Sequence, residues 1–554
     1  MHKDKKTAQA SQQSIDRIFT VPEAPDSSLG RIEQAISQNL NRFLQEHIAA
    51  TERPLTEIEK DFNTASVPEN PTFVSEHTEF LLDKLVAQSV HTSSPRFIGH
   101  MTSALPYFLM PLSKIMIGLN QNTVKIETSK AFTPLERQVL GMLHNLVYQQ
   151  DDAFYDRWMH SANHSLGSFC SGGTVANITA LWVARNHLLR PQGTFRGVAQ
   201  EGIYRAMKHY GYEGIAVLVS DRGHYSVKKS ADILGIGRES LVSVATDENN
   251  RIDIAALEKT ITELKAQNIK PFAIVGIAGT TETGSIDPLD KLADIAEREG
   301  CHFHVDAAWG GASLMSDSQR LKMAGIERAD SVTIDAHKQL YVPMGAGMVL
   351  FKDPALVSSI EHHAEYILRK GSKDLGSHTL EGSRSGMAML VFSCLKIIGR
   401  QGYQLLIDQS VAKAQRFAKM INTHPEFELI SEPELCILTY RYVPERVKQA
   451  LSLAKPDEID VLTSLLNDLT ISIQKRQRES GHSFVSRTRL TPAAWDGRTT
   501  TVFRVVLANP LTTETILEEV LAEQTELALQ SKGAYPALME KAEQVLLRAQ
   551  VKRP

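Results

Sequence analysis

Cysteine is scarce and scattered. Cys170, Cys301, Cys394 and Cys436 are the four in 554 residues, and none stands in a CxxC spacing. That argues against a disulfide framework and against a zinc knuckle. An excess of charge of either sign is also missing. A net charge of −4 leaves no basic footprint for nucleic acid or an anionic membrane surface. No apolar run approaches the length of a membrane span. The first twenty residues, MHKDKKTAQASQQSIDRIFT, hold no apolar segment of the signal-peptide kind. Neither an internal repeat nor a low-complexity tract is visible. The expectation is a soluble cytoplasmic protein without nucleic-acid or membrane partners.

What is present is a change of texture along the chain. The length suggests two or three packed units. Residues 1–94 read as an N-terminal arm and helical segment. They are polar to about residue 30, then form a helix from Ser28 to about Ala50 with Ile32, Ile36, Leu40 and Phe43 on one face. A second helix follows from Glu76 to about Gln88. Residues 95–400 alternate short apolar runs with helical patterns. GIAVLVS (214–220), FAIVGIA (272–278), CHFHVD (301–306), SVTIDA (331–336) and AGMVLF (346–351) read as strands. Between two of them, DPLDKLADIAERE (287–299) reads as a helix with Asp287 as N-cap and Pro288 at its first position. Continuous apolar strands with intervening helices imply an α/β fold with a mostly parallel sheet covered on both faces. Residues 401–554 read as a small α+β domain with β-like runs at 434–443 and 500–508, and a helical tail.

Several residues fall where parallel sheets bind ligands, beyond the carboxyl ends of their strands. SGGTVAN (171–177) joins a strand to a helix. Its glycines allow close backbone approach, and the helix N-terminus offers free N–H groups to a phosphate. A tight turn explains the same residues. His224 follows the strand 214–220, where it stacks on a flat ring or simply faces solvent. Asp306 ends the run HVD before two alanines, placed to meet a heteroaromatic nitrogen or to cap a turn. His302 and His304 share its strand face, but no further ligand follows and no metal is expected. Lys338 ends DAHK (335–338). A lysine there forms a Schiff base with an aldehyde cofactor, or its head reaches solvent.

Each motif is weak alone. In order, SGGTVAN, HYS (224–226), AGTTETGSIDP (278–288), HVDAAWGG (304–311) and DAHK resemble the group II amino-acid decarboxylases dependent on pyridoxal 5'-phosphate (PLP), of the aspartate-aminotransferase fold, fold type I. The resemblance covers roughly residues 95 to 510. It implies a large PLP-binding domain, with Lys338 carrying the cofactor, Asp306 paired with its ring nitrogen, and His224 stacked on the ring as a second catalytic residue. Ala308 would lie on the other face. Gly173 and Thr174 would bind the phosphate with His337 close by, and Thr281 or its neighbour Thr280 would lie near the cofactor hydroxyl. In VFRVVLANP (502–510), Arg504 would hold the substrate α-carboxylate, for which an arginine fork is suited. Tyr366 would be a loop tyrosine that returns a proton to Cα. PRFIGHMTS (95–103) matches the family's substrate-side segment. His100 stands there where animal glutamate decarboxylases carry glutamine, which bears on glutamate specificity. Arg384 in GSRSG (382–386) would meet a side-chain carboxylate.

Within that family the pattern looks closest to bacterial aspartate 1-decarboxylases, often grouped with glutamate decarboxylases. The implied reaction is α-decarboxylation of L-aspartate to β-alanine, a pantothenate precursor, by a homodimer. L-glutamate, giving γ-aminobutyrate, comes second, and an aromatic amino acid or 2,4-diaminobutyrate third. An aminotransferase on the same fold and a non-catalytic PLP-binding scaffold or regulator remain the competing readings.

Overall fold

The computed structural model describes residues 28–45, 48–363, 371–492 and 495–551. The chain forms two compact units. One gathers Met1–Ala104, Arg446–Arg487 and Leu511–Pro554; the other, larger unit is Leu105–Glu445 with Thr488–Pro510.

The larger unit is built on seven strands: β1 (Gly167–Cys170), β2 (Gly214–Ser220), β3 (Leu241–Val244), β4 (Ile269–Ile277), β5 (His302–Asp306), β6 (Ser331–Asp335) and β7 (Gly347–Phe351). Their spatial order is β1-β7-β6-β5-β4-β2-β3. β2 through β6 pair in parallel, and β7 runs antiparallel to both β6 and β1. AGMVLF has the same apolar texture as the parallel strands. However, the link from β6 contains no helix, and a parallel return needs a longer crossover, so β7 turns back directly. Pro271 interrupts the β2–β4 ladder because it has no N–H to donate. The register shifts there, pairing Ala216 with Pro271 and Val217 with Ala273. Helix Gly173–Leu188 crosses the sheet and buries Ala176, Ala180 and Val183 against β7. Among the described residues, no helix is long and apolar enough to cross a membrane.

Asp287 does not cap the helix that follows it. That helix spans Leu289–Glu299. The two Asp287 carboxylate oxygens instead accept the backbone N–H groups of Ile252 and Ile277, both at 2.8 Å. Burial pushes its pKa up to about 7. The aspartate therefore fastens the end of β4 to a neighbouring segment, a long-range task that cap spacing does not reveal.

A second sheet has the order β10-β11-β9-β8, from β8 (Phe427–Ser431), β9 (Ile437–Tyr442), β10 (Ser486–Leu490) and β11 (Thr500–Val506). Strand β9 lies antiparallel between β8 and β11. The units therefore do not follow the linear partition at 94/95 and 400/401. Residues 401–445 and 488–510 cluster with the large sheet. Position 400 falls within the helical run Ala388–Thr423, which breaks at Gly399 (φ 66°, ψ 167°).

In the smaller unit, helix Pro456–Ser480 packs on helices Glu514–Leu529 and Ala534–Val551. The N-terminal segment is tied to it by backbone bonds: Ala49 N–H to Gly481 O at 2.8 Å and Ile98 N–H to Phe484 O at 3.0 Å. Gly481 needs to be glycine, since its φ is +70° and a Cβ would sit 2.0 Å from Ala50 O. The first N-terminal helix is described over Ser28–Gln45. The second is α-helical only over Val74–Phe80 and then passes through a π turn and a 3-10 turn to Gln88.

Candidate active site

Five loops meet at the carboxyl edge of the parallel strands. β1 leads into Gly172–Gly173, β2 into His224, β4 into Thr280–Thr281, β5 ends on Asp306, and β6 ends on Asp335 three residues before Lys338. The order of strands in the sheet, not their order in sequence, brings these residues together.

A hydrogen-bond chain with one consistent set of proton positions links two of them, Asp306 and His224. Asp306 Oδ2 accepts from Asn177 Nδ2 at 2.8 Å, and the second Nδ2 proton goes to Ser226 Oγ at 3.0 Å. Ser226 Oγ lies 2.8 Å from His224 Nδ1, which also accepts the Ser226 N–H as a helix cap. On the other side, Asn177 Oδ1 faces His304 Nε2 at 3.0 Å. His304 Nδ1 lies 2.8 Å from Ser331 Oγ, which in turn lies 2.7 Å from His302 Nε2. A carboxylate only accepts, so Asn177 Nδ2 must donate to it and Oδ1 must receive the His304 Nε2 proton. Ser331 then donates to His304 Nδ1 and accepts from His302 Nε2. Burial lowers the pKa of both His302 and His304 to about 4, so both rings are neutral, as this assignment requires. Burial also lowers the pKa of His224, while Asp306 and Asp335 work against that shift. With Nδ1 occupied as an acceptor, neutral His224 carries its proton on Nε2.

Around Lys338 the geometry is tight. Its Nζ lies 3.1 Å from Asp335 Oδ2, and His337 Nε2 lies 3.6 Å from the same oxygen. His337 Nδ1 donates to Ala346 O at 2.9 Å. A Cβ on Gly173 would fall 2.7 Å from Asp335 Oδ2, and one on Gly347 would fall 2.5 Å from Asp335 Oδ1 and 2.6 Å from Gly172. Only glycine leaves this space. Gly173 and Thr174 open the helix Gly173–Leu188, whose first-turn N–H groups have no acceptor inside the helix. Ala308 N–H donates to Asp306 Oδ1 at 3.2 Å. The donor set suits PLP: a glycine-lined helix N-terminus for a phosphate, a buried carboxylate for a ring nitrogen and an amine for the aldehyde.

Arg504, on β11, is nearly buried, and its Nε donates to the Thr281 carbonyl at 2.6 Å. Burial lowers its pKa to about 10 while Glu282 holds it up. Thr280 is turned inward, its Oγ1 2.7 Å from Thr283 Oγ1. Arg384 is committed elsewhere. Its two terminal nitrogens grip the buried Glu136 at 2.8 and 3.1 Å, so the fork expected to meet a substrate carboxylate is already filled by a protein one. His100 lies in the smaller unit, exposed, with Nδ1 3.1 Å from Thr102 Oγ1. Tyr366 lies outside the described residues.

Residues 59–443, more than half of the chain, match the model of the pyridoxal-dependent decarboxylase conserved domain. The chain belongs to this family. This decarboxylase is 68% identical over 535 residues to the aspartate 1-decarboxylase of Aliivibrio fischeri, covering 97% of this chain and 98% of that one. It is 29% identical to the cysteine sulfinic acid decarboxylase of Mus musculus, over 79% of this chain and 83% of that one. The crystal structure of mouse CSAD superposes with a TM-score of 0.79 at 25% identity, covering 91% of the decarboxylase and 99% of that chain. The decarboxylase also holds parts that motif reading passed over. Asn177 is the last letter of SGGTVAN, yet it bonds Asp306 directly and His224 through Ser226, and His304 is its far anchor. Polar residues at period two within an apolar strand were the available signal.

Proposed function

We propose that this PLP-dependent carboxy-lyase removes the α-carboxylate of L-aspartate, giving β-alanine and CO₂. The 68% identity to an aspartate 1-decarboxylase over nearly the whole of both chains carries this reading. In it Lys338 holds the cofactor, Asp306 faces its ring nitrogen, His224 and Ala308 flank the ring, Thr281 lies at its hydroxyl side, and Gly173, Thr174 and His337 surround the phosphate. The bound cofactor supplies a sink for the electron pair of the bond that breaks. Arg504 binds the α-carboxylate and orients that bond. His224, protonated at Nε2, or Tyr366 returns a proton to Cα, and His100 contributes to side-chain recognition. A cytoplasmic homodimer supplying β-alanine for pantothenate completes the reading. The test is a product assay on the PLP-loaded protein with L-aspartate and L-glutamate supplied separately. β-Alanine should exceed γ-aminobutyrate by at least an order of magnitude. γ-Aminobutyrate in excess refutes the substrate, and no CO₂ from either amino acid refutes the acidic-substrate reading.

A further inference from the structure

The loop after β4 is held by its own bonds. Thr280 N–H donates to Ser285 O at 2.9 Å, Gly284 N–H to Thr280 O at 2.9 Å, and Thr283 Oγ1 lies 2.7 Å from Thr280 Oγ1 and 2.8 Å from Ser285 Oγ. At its tip Thr281 O receives Arg504 Nε, and the next residue is Glu282. The Glu282 Oε2 atom is buried and has no hydrogen-bond partner. The carboxyl lies within electrostatic reach of Arg504 and Arg222, with Asp221 as the opposing charge. Burial raises its pKa, while a bond from its own backbone N–H and then the charges of Arg222 and Arg504 pull it back. A hydrogen-bonded loop thus carries an acid with one buried, unpartnered oxygen into the neighbourhood of Arg504.

Such an acid has a use in decarboxylation. An arginine that grips a carboxylate stabilises the bound substrate more than the transition state, because the negative charge is leaving the carboxyl group as the bond breaks. The Cα–carboxyl bond breaks, the electron pair stays with the cofactor-bound remainder, and CO₂ departs neutral. No oxidant or reductant enters. We propose that Glu282 is a positioning residue for this step: its buried carboxylate weakens the hold of Arg504 on the substrate carboxylate, then neutralises Arg504 once CO₂ has left. The inference rests on the assignment of Arg504 to the α-carboxylate.

The experiment compares wild type, Glu282→Gln, Glu282→Met and Arg504→Gln as PLP-loaded proteins. It reads kcat and KM with L-aspartate, and the affinity for succinate, a dicarboxylate without an amine, by calorimetry. Removing the charge of Glu282 should lower KM and the succinate Kd about five- to tenfold while kcat falls about tenfold. A packing role alone would not move affinity and turnover in this paired way. The methionine variant has the same shape without a buried polar group, so the test stands if the glutamine variant fails to fold. Unchanged or weaker succinate binding in a folded Glu282 variant, or an unchanged kcat, overturns the proposal. If Arg504→Gln leaves succinate binding unchanged, the assignment of Arg504 has failed instead.

Discussion

Asn177→Leu cuts the centre of the polar chain while keeping the side chain's size. Three buried groups lose a partner. Asp306 Oδ2 loses a charge-assisted bond of 2.8 Å, His304 loses the acceptor of its Nε2 proton, and Ser226 Oγ loses a donor. His304 and Ser226 are fully buried, so water does not replace these bonds. At about 2 kcal/mol for the bond to the carboxylate and about 1 kcal/mol for each of the others, the loss is about 4 kcal/mol. The larger unit, Leu105–Glu445 with Thr488–Pro510, has an unfolding entropy of about 0.75 kcal/mol/K by the usual per-residue value. Its thermal midpoint should therefore fall by about 5 °C. The assay is thermal unfolding of the cofactor-free protein followed by near-UV circular dichroism, with a parallel measurement of PLP affinity. Retention of PLP should weaken as well, since Asp306 loses its orienting bond and Ser226, which holds His224 Nδ1, loses its donor. A midpoint within 1 °C of wild type and an unchanged PLP affinity would refute the hydrogen-bond chain as drawn. Changing His304 as well tests the coupling. Asn177→Leu with His304→Leu should cost about 1 kcal/mol less than the sum of the single changes, because no imidazole N–H is then stranded.

Two further outcomes follow from other buried groups. Arg384→Met leaves the buried Glu136 carboxylate unpaired and should cost about 3–5 kcal/mol in chemical denaturation, with KM of the folded fraction unchanged. Adding Glu136→Leu should recover most of that loss, and a raised KM in the single variant would return Arg384 to the substrate. Acidification should destabilise the protein below neutrality. His144, His302, His304 and His378 have folded pKa values lowered to about 4 by burial, so the unfolded chain binds more protons between pH 6.5 and 4. Each imidazole taken alone removes about 2 kcal/mol between pH 7 and 5. Asp287, raised to about 7, works in the opposite sense across the same window. Denaturant midpoints should thus fall from pH 7 to pH 5, with a shallower slope in His144→Gln, and a flat profile would contradict the neutral buried rings.

The residues proposed to carry chemistry stand out in the sequence because their constraints are local. A glycine pair at a strand-to-helix turn, an aspartate at a strand end and a lysine in DAHK can each be read from the few residues around it. The alternation of apolar runs with helical patterns likewise made the α/β layering of the large sheet readable. What only tertiary structure decided depends on pairs far apart in sequence. The direction of β7, the gathering of Leu105–Glu445 with Thr488–Pro510, the capture of Arg384 by Glu136 and the bonds of Asp287 to Ile252 and Ile277 each join segments whose patterns look ordinary alone. Asn177 belongs with them. Its amide satisfies an acid and an imidazole of β5 and a hydroxyl of the segment after β2 at once, and only packing the helix Gly173–Leu188 on the sheet brings those three within reach. The sequence by itself determined which groups are available for chemistry. The tertiary structure decided which of them are spent on one another, because a buried polar group takes whatever partner the fold puts beside it.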